Sequence, residues 1–440
     1  MSDSPISAYE FGPYRIDMQR YLVLRDDRPI QLSPKVFRTL LVLVQRRDRV
    51  VSKQELIDAI WPDSYVEEGN LAQNIFVLRR ALGEEKSDHS FIITIPGHGY
   101  RFVAPVTELG TEGSNSSAST AAGDSNTFLH YIRGRYFWNQ RTGAGLKKAI
   151  QYAQRSLAAD PAYAPAYVGI ADSYNLLAGH GGLAPKETFP KAKTAAFRAL
   201  EIDPRLAAAY VSLAFTNYRF EWDWVGAETN FRRAIELEPN YPTAHHWYGE
   251  FLACQGRFAE SINELEKAME CDPLSLAVVT DRAQTFYFAR QYELSLKVIG
   301  EALEMDPQFV RALIIQGNCL EQLGRYEEAT EALTRAADLS DNNSFALAGV
   351  GHNYALQGKW DEAIQIVNHL REQAEHRYIS ASDIATVLVG LGQKEEALSH
   401  LERSIENRDV WMVWLKVNPR FEPIQREPRY QALLKRVGLQ

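Results

Sequence analysis

Cysteine is scarce in this 440-residue chain: Cys254, Cys271 and Cys319 are the only three, and none stands in a C-x-x-C pair. Such spacing offers neither a zinc knuckle nor a redox couple, and predicts reduced thiols packed as small apolar groups. No apolar run approaches the roughly 18–20 residues that span a bilayer, and residues 1–10 lack the basic and apolar regions of a signal peptide. A cytoplasmic protein without a membrane partner is expected. G-x-x-x-x-G-K-[ST], G-x-S-x-G, H-E-x-x-H and metal-spaced Cys/His clusters are all missing, so no catalytic residue, no cofactor and no metal is expected. His245 and His246 are adjacent on one helix, where neighbours face different directions and do not converge on one ion. Gly358-Lys359 runs into Trp360 at a repeat turn and is no phosphate cradle. An excess of positive charge is lacking too. Residues 1–107 hold 14 Lys+Arg and 14 Asp+Glu, which leaves the whole formal charge of −8 to the remainder. Only the N-terminal part can approach a polyanion without broad repulsion.

What is present begins with residues 70–102. The run from Asn70 to Leu82 puts Leu71, Ile75, Leu78 and Leu82 on one face, since residues three and four apart share a face. Asn70, Gln73, Asn74, Val77 and Arg80 are left for the outside. A hairpin follows: F-I-I-T-I, then P-G-H-G, then Y-R-F-V, with Gly97 and Gly99 suited to the reversal. A groove-sized helix beside a protruding hairpin is the pattern of a winged helix. Asn and Gln can pair with adenine, and Arg79 or Arg80 can hold phosphate or guanine. In the hairpin, Thr94 and the amides of Gly97 and Gly99 are candidate phosphate grips. Tyr100 and Phe102 support the turn from inside, and Arg101 stays open between a phosphate contact and a solvated strand position.

Upstream, residues 9–31 read as four short strands separated by turn signals. Ser33 is set to cap a helix with Pro34 at its first position, and S-K-Q-E at Ser52–Glu55 is a capping box. The order sheet, helix, helix, acidic loop, helix, wing resembles the OmpR/PhoB-type winged-helix effector domain over about residues 9–106. The resemblance rests on L-S-P-K-V-F-R-T-L-L (32–41), V-S-K-Q-E-L (51–56), L-R-R-A-L (78–82) and G-H-G-Y-R-F (97–102). It implies double-stranded DNA as partner, and RNA polymerase as a contact of the loop Asp63–Glu68. It also implies base- and phosphate-reading arginines at positions that are Val77 and Phe76 here, so Val77 is expected against a thymine methyl. A minor-groove arginine is implied where Pro96 stands, with His98 as the nearest substitute. No phosphoacceptor receiver domain is expected before Tyr9.

Residues 108–127 are small and polar and read as a flexible linker, where membrane-tethered CadC-like relatives carry a transmembrane helix. Beyond it the chain repeats every 34 residues: Gly256, Arg290, Gly324, Gly358 and Gly392 keep the step, as do Pro239, Pro273 and Pro307, and Ser261, Ser295, Ala329, Ala363 and Ala397. With Phe258, Tyr326 or Trp360 at the turn, this pattern resembles the tetratricopeptide repeat. About eight units are expected over residues 128–411, with a final capping helix over 412–440 to seal the end of the stack. The repeat phase points Tyr218, His246, Glu250, Gln284, Tyr287, Arg311, Asn318 and His352 into the groove, as candidates for holding a protein or peptide.

The fold class expected is therefore multidomain: an α+β winged helix (1–107) followed by an all-α superhelical solenoid. Its expected role is a sequence-specific, one-component transcription regulator, acting as a homodimer on DNA. The rival is a scaffold whose winged helix has become a docking module.

Overall fold

The computed structural model describes residues 6–18, 22–26, 28–30, 32, 34–60, 68–84, 90–95, 98–110, 118–180, 182–272, 275–340 and 342–440. These fall into two compact units, residues 1–132 with 155–161, and residues 133–154 with 162–440. The expected cap Ser33, most of the acidic loop and the wing glycine Gly97 lie outside the described residues.

The first unit opens with β1 (Ile6–Phe11), β2 (Tyr14–Asp17), β3 (Leu22–Arg25) and β4 (Arg28–Ile30), paired as antiparallel neighbours. Next come α1 (Pro34–Gln45), β5 (Val51–Ser52), α2 (Lys53–Ile60), α3 (Glu68–Ala81), β6 (Ile92–Ile95), β7 (Gly99–Phe102) and β8 (Thr107–Gly110). Two sheets result, β4-β3-β2-β1-β8 and β5-β7-β6. The core is the set of apolar stripes read from the sequence: Ile16, Leu40, Leu43, Leu56, Leu71, Leu78 and Ile92 are fully buried together. The capping box closes reciprocally, with Ser52 Oγ accepting from the Glu55 amide at 3.2 Å and Glu55 Oε2 accepting from the Ser52 amide at 3.0 Å.

The expected linker is corrected at both ends. Thr107–Gly110 is the strand β8, which satisfies the otherwise open edge of β1, with Glu108 opposite Tyr9. At the other end, α4 (Ala118–Asn139) has already begun, and Ser156 Oγ donates to the Thr127 carbonyl at 2.7 Å. A polar composition with little to bury did not prevent ordering, because both segments are held through their backbone groups, β8 by strand pairing and Thr127 by its carbonyl, which composition does not report.

From α4 onward the chain is helical. It continues with α5 (Gly143–Ala159), α6 (Ala164–His180), α7 (Pro185–Ile202), α8 (Ala207–Thr216), α9 (Trp224–Leu237), α10 (Pro242–Cys254) and α11 (Phe258–Cys271). Then follow α12 (Leu276–Phe288), α13 (Tyr292–Met305), α14 (Val310–Gln322), α15 (Tyr326–Leu339), α16 (Ser344–Leu356), α17 (Trp360–His376), α18 (Ala381–Gly390) and α19 (Lys394–Glu406). From α6 to α19, each even-numbered helix packs on its odd-numbered successor, the pairing expected of a tetratricopeptide stack. The 34-residue step has a backbone cause: Gly256, Gly324, Gly358 and Gly392 all turn in the left-handed region, with φ of 74–80°. Arg290 takes the same conformation at φ 64° without being glycine, and its guanidinium caps the Phe288 carbonyl at 2.7 Å. Ser261, Ser295, Ala329, Ala363 and Ala397 are fully buried, where any larger side chain would hold paired helices apart. Among the described residues no helix is long and apolar enough to cross a membrane.

After α19 the sequence reading is corrected again. Residues 412–440 are not a single cap. Two 3-10 turns, Val410–Trp414 and Pro419–Ile424, form a strap that lies against the first helices of successive pairs as far as α18, and α20 (Pro428–Val437) packs on α19. The run V-W-M-V-W-L-K-V at 410–417 is too apolar to face water on an end cap, and it buries Val410, Met412, Val413, Trp414 and Leu415.

Candidate functional site

In the winged head, α3 is held by its buried stripe and by two polar braces. Asn74, expected outside, is fully buried, and its amide donates to Thr39 Oγ1 on α1 at 2.7 Å. It is an inter-helix tie, not a base reader, and its hydroxyl partner lies 35 residues away. Arg79 is likewise committed. Its Nη2 donates to the Ile92 carbonyl at 2.8 Å and to Thr94 Oγ1 at 3.0 Å, and its Nε faces Glu84 at 3.4 Å. Arg79 thus locks α3 to the wing strand β6, with the exposed Thr94 hydroxyl as one of its acceptors.

The outer side of α3 consists of half-buried Asn70, Gln73 and Val77 with exposed Phe76 and Arg80; Phe76 is 51% exposed. On the wing, His98 and Arg101 are exposed, while Tyr100 and Phe102 are buried beneath them as expected. Arg80 and Arg101 carry no ion pair among the described residues. Gly99 is buried with φ 155°, and a Cβ built on it would stand 2.1 Å from the Val51 carbonyl oxygen. Glycine is required there for the close approach of β7 to β5, not for phosphate. The head therefore assembles Asn70, Gln73, Phe76, Val77, Arg80, His98 and Arg101 as its outer surface, leaves Thr94 exposed but engaged by half-buried Arg79, and buries Asn74 and Gly99.

The repeat groove departs further from expectation. Tyr218, His246, Glu250, Tyr287, Asn318 and His352 are all 7% exposed or less, while Gln284 and Arg311 are half-buried. They do not await a peptide, because the strap and their own ion pairs fill the space. Arg219 donates to the strap carbonyl of Val410 at 3.2 Å and to Glu250 at 3.0 Å, and Arg290 donates to Val417 O at 2.6 Å. Arg420 of the strap meets Glu321 of α14 through two hydrogen bonds of 2.8 and 2.9 Å, and His352 approaches the same carboxylate at 3.0 Å. Burial alone would raise the Glu321 carboxyl, but Arg420 and His352 outweigh it and hold it down at about 2. Phe288 stacks on Trp414 at 4.7 Å, and Phe345 on Trp411 at 4.4 Å.

One cluster escaped the sequence reading. His246, Glu250 and Asp281 bring ligand atoms within 4.8 Å of one another, although 35 residues separate His246 from Asp281. Arg311 is ion-paired to both carboxylates, and Arg219 also holds Glu250. Burial favours a neutral Asp281, yet Arg311 and His246 keep it below the usual carboxylate range. The cluster already contains its cations, so it is a closed ion-pair network rather than a vacant metal site.

Comparisons with known proteins divide along the same line. Residues 27–102 match the family described as "Transcriptional regulatory protein, C terminal", and residues 223–275 and 280–344 match the tetratricopeptide repeat. The transcriptional regulator HilA of Salmonella typhi is 33% identical over 114 residues, 26% of this chain and 20% of that protein. The transcriptional regulatory protein CutR of Streptomyces coelicolor is 36% identical over 88 residues, 20% of this chain and 39% of its own length. The solved DNA-binding domain of E. coli CadC is 26% identical, covering 24% of this chain and 99% of that domain with a TM-score of 0.22. The chain thus spans about a fifth of HilA and about two fifths of CutR. Neither matched family is an enzyme family.

Proposed function

We propose, for a chain that joins an OmpR/PhoB-type winged helix to tetratricopeptide repeats, the role of a one-component transcription regulator that reads duplex DNA. The observation that carries this reading is the outer side of α3, where Gln73 and Val77 accompany an exposed Arg80 that has no ion pair among the described residues, with Arg101 as a further exposed cation on the wing. The Arg79 brace keeps helix and hairpin in one fixed relation, as docking to a groove and the flanking backbone requires. Gln73 is the adenine reader, Val77 and Phe76 present apolar contact for a thymine methyl, and Arg80 and Arg101 neutralise phosphate. A head with 14 basic and 14 acidic residues gains little from non-specific attraction, so two heads on tandem half-sites supply the affinity through effective concentration. The loop 63–68 is the surface assigned to RNA polymerase. The repeats act as the sensing and assembly part. A protein partner reaches their inner face only by withdrawing the strap.

The test is binding of the full chain to fragments of its own genome, followed by fluorescence anisotropy over a range of salt. Arg80→Ala is expected to weaken binding about tenfold and to lower the salt slope by about one. Asn74→Ala serves as the contrast: it is expected to cost about 1 kcal/mol of head stability by removing the hydrogen bond that ties α3 to Thr39, whose hydroxyl still donates to the Lys35 carbonyl. At a temperature where the head stays folded, its affinity should remain unchanged. Equal affinities of wild type and Arg80→Ala, or no salt-dependent retention of any fragment, would reject the DNA-reading assignment.

A further inference from the structure

Between the strap and helices α12, α14, α16 and α18 lies a cavity of about 40 Å³. A water needs roughly 10–15 Å³ of such space, so the cavity has room for a ligand of only a few non-hydrogen atoms. Its lining contains three polar atoms without a hydrogen-bond partner: Tyr287 Oη, Asn318 Oδ1 and Trp414 Nε1. Their residues are 3%, 7% and 4% exposed. One orphan in a folded core is tolerable. Three on residues that line one space, all without a partner among the described residues, call for an occupant, because each buried unpaired group loses the hydration it had in the unfolded chain.

The charge bookkeeping is also incomplete. Asp383 lines the same cavity, is 3% exposed, is hydrogen-bonded to the Ser344 hydroxyl, and has no ion pair among the described residues. Asp409 is buried next to it and accepts from the Ser380 hydroxyl and from the Trp411 amide at 3.0 Å, again without a cation. Burial, and after it the neighbouring Asp409, push the Asp383 carboxyl up to about 8. Arg420 is the cation on the cavity wall, and Glu321 holds it bidentately. The other walls combine the stacked pairs Phe345–Trp411 and Phe288–Trp414 with Met412, Ser382, Thr386 and Asn418.

The unmet demands define the ligand. Asn318 Oδ1 requires a hydrogen-bond donor, the Trp414 N–H requires an acceptor, Tyr287 accepts either, and a cationic donor beside Asp383 would let its raised carboxyl ionise. A cation beside tryptophan and phenylalanine rings is favoured further by their π faces. We infer that this cavity is a binding site for a short amino alcohol or a similarly sized organic cation bearing one oxygen. Its ammonium lies against Asp383 and Asn318, and its hydroxyl accepts from Trp414. Because the strap forms one wall, such a ligand fastens the strap into the groove. The site stands on the geometry of the repeat unit alone, so its failure would leave the DNA-reading assignment intact, and the converse holds too.

The test is calorimetric titration of the full chain with ethanolammonium chloride at constant ionic strength, with tryptophan fluorescence as the second readout. Ethanolammonium is expected to bind saturably. Ethylammonium, which leaves the Trp414 N–H unpaired, should bind about tenfold more weakly, and uncharged ethylene glycol should not bind measurably. Asp383→Asn should lose at least about tenfold in affinity while its urea midpoint at pH 8 is equal to or higher than that of the wild type. Should that variant not fold, Tyr287→Phe, which removes only an unpartnered hydroxyl, is expected to weaken binding severalfold with the fold retained. Absence of saturable binding by either amine would mean that the cavity holds water only. Equal binding of ethylene glycol, or an affinity unchanged in whichever of the two variants folds, would equally overturn the assignment.

Discussion

Arg420→Ala will lower the unfolding free energy of the repeat unit by about 3–5 kcal/mol, read as a shifted midpoint in urea followed by tryptophan fluorescence. The guanidinium and the Glu321 carboxylate are 5% and 0% exposed as side chains. Removing one partner strands a buried charge. The double replacement Arg420→Met with Glu321→Gln should cost less than Arg420→Ala, because it leaves no ion unpaired. Should Arg420→Ala cost under about 1 kcal/mol, the strap is a loosely laid tail and its place in the groove is not built into the fold. Acid tests the same contact. Glu321 is held at about 2 in the folded chain against an ordinary 4.5. Its contribution is therefore fully present above pH 4.5 and lost as pH falls from there through about 2. The wild type should show strap release in that window by a change in Trp411 and Trp414 emission, and Arg420→Ala should show the released emission already at neutral pH.

Gly99→Ala is expected to cost about 4 kcal/mol or more of head stability, measured by thermal or urea unfolding of the full chain. The added methyl would sit 2.1 Å from the Val51 carbonyl oxygen and 2.9 Å from Ser52 Cα, both backbone atoms with no rotamer to yield, at a φ of 155° that L-residues rarely adopt. The strand pair β5–β7 consists of Val51–Tyr100 and Ser52–Gly99 alone, so forcing it apart detaches the wing from the start of α2. DNA affinity should fall together with stability. An alanine variant with normal stability but weakened DNA binding would instead make Gly99 a phosphate contact, and the structural role assigned to it would be wrong.

How much of this was legible beforehand can be traced residue by residue. The stripe Leu71, Ile75, Leu78 and Leu82, the Ser52–Glu55 capping box and the left-handed turns 34 residues apart follow from local rules: side-chain period, cap chemistry and the freedom of glycine. Arg290 even kept its place in the repeat without being glycine, because the step is a property of the chain path. The open surface of the head was legible in part. Gln73, Arg80, His98 and Arg101 lie outside, whereas Asn74 and Arg79 share that helix and turn to partners in α1 and β6.

The sequence by itself determined where helices and strands begin, which faces are apolar and how often the units repeat, since each depends on neighbours within a few residues. Only the tertiary structure decided what covers those faces. Arg420 finds Glu321 across 99 residues, and Arg219 finds the Val410 carbonyl across 191. A polar side chain on a repeat helix looks the same in sequence whether water, a peptide or the chain's own C-terminal strap lies against it, because its period marks a direction and not the group that waits there.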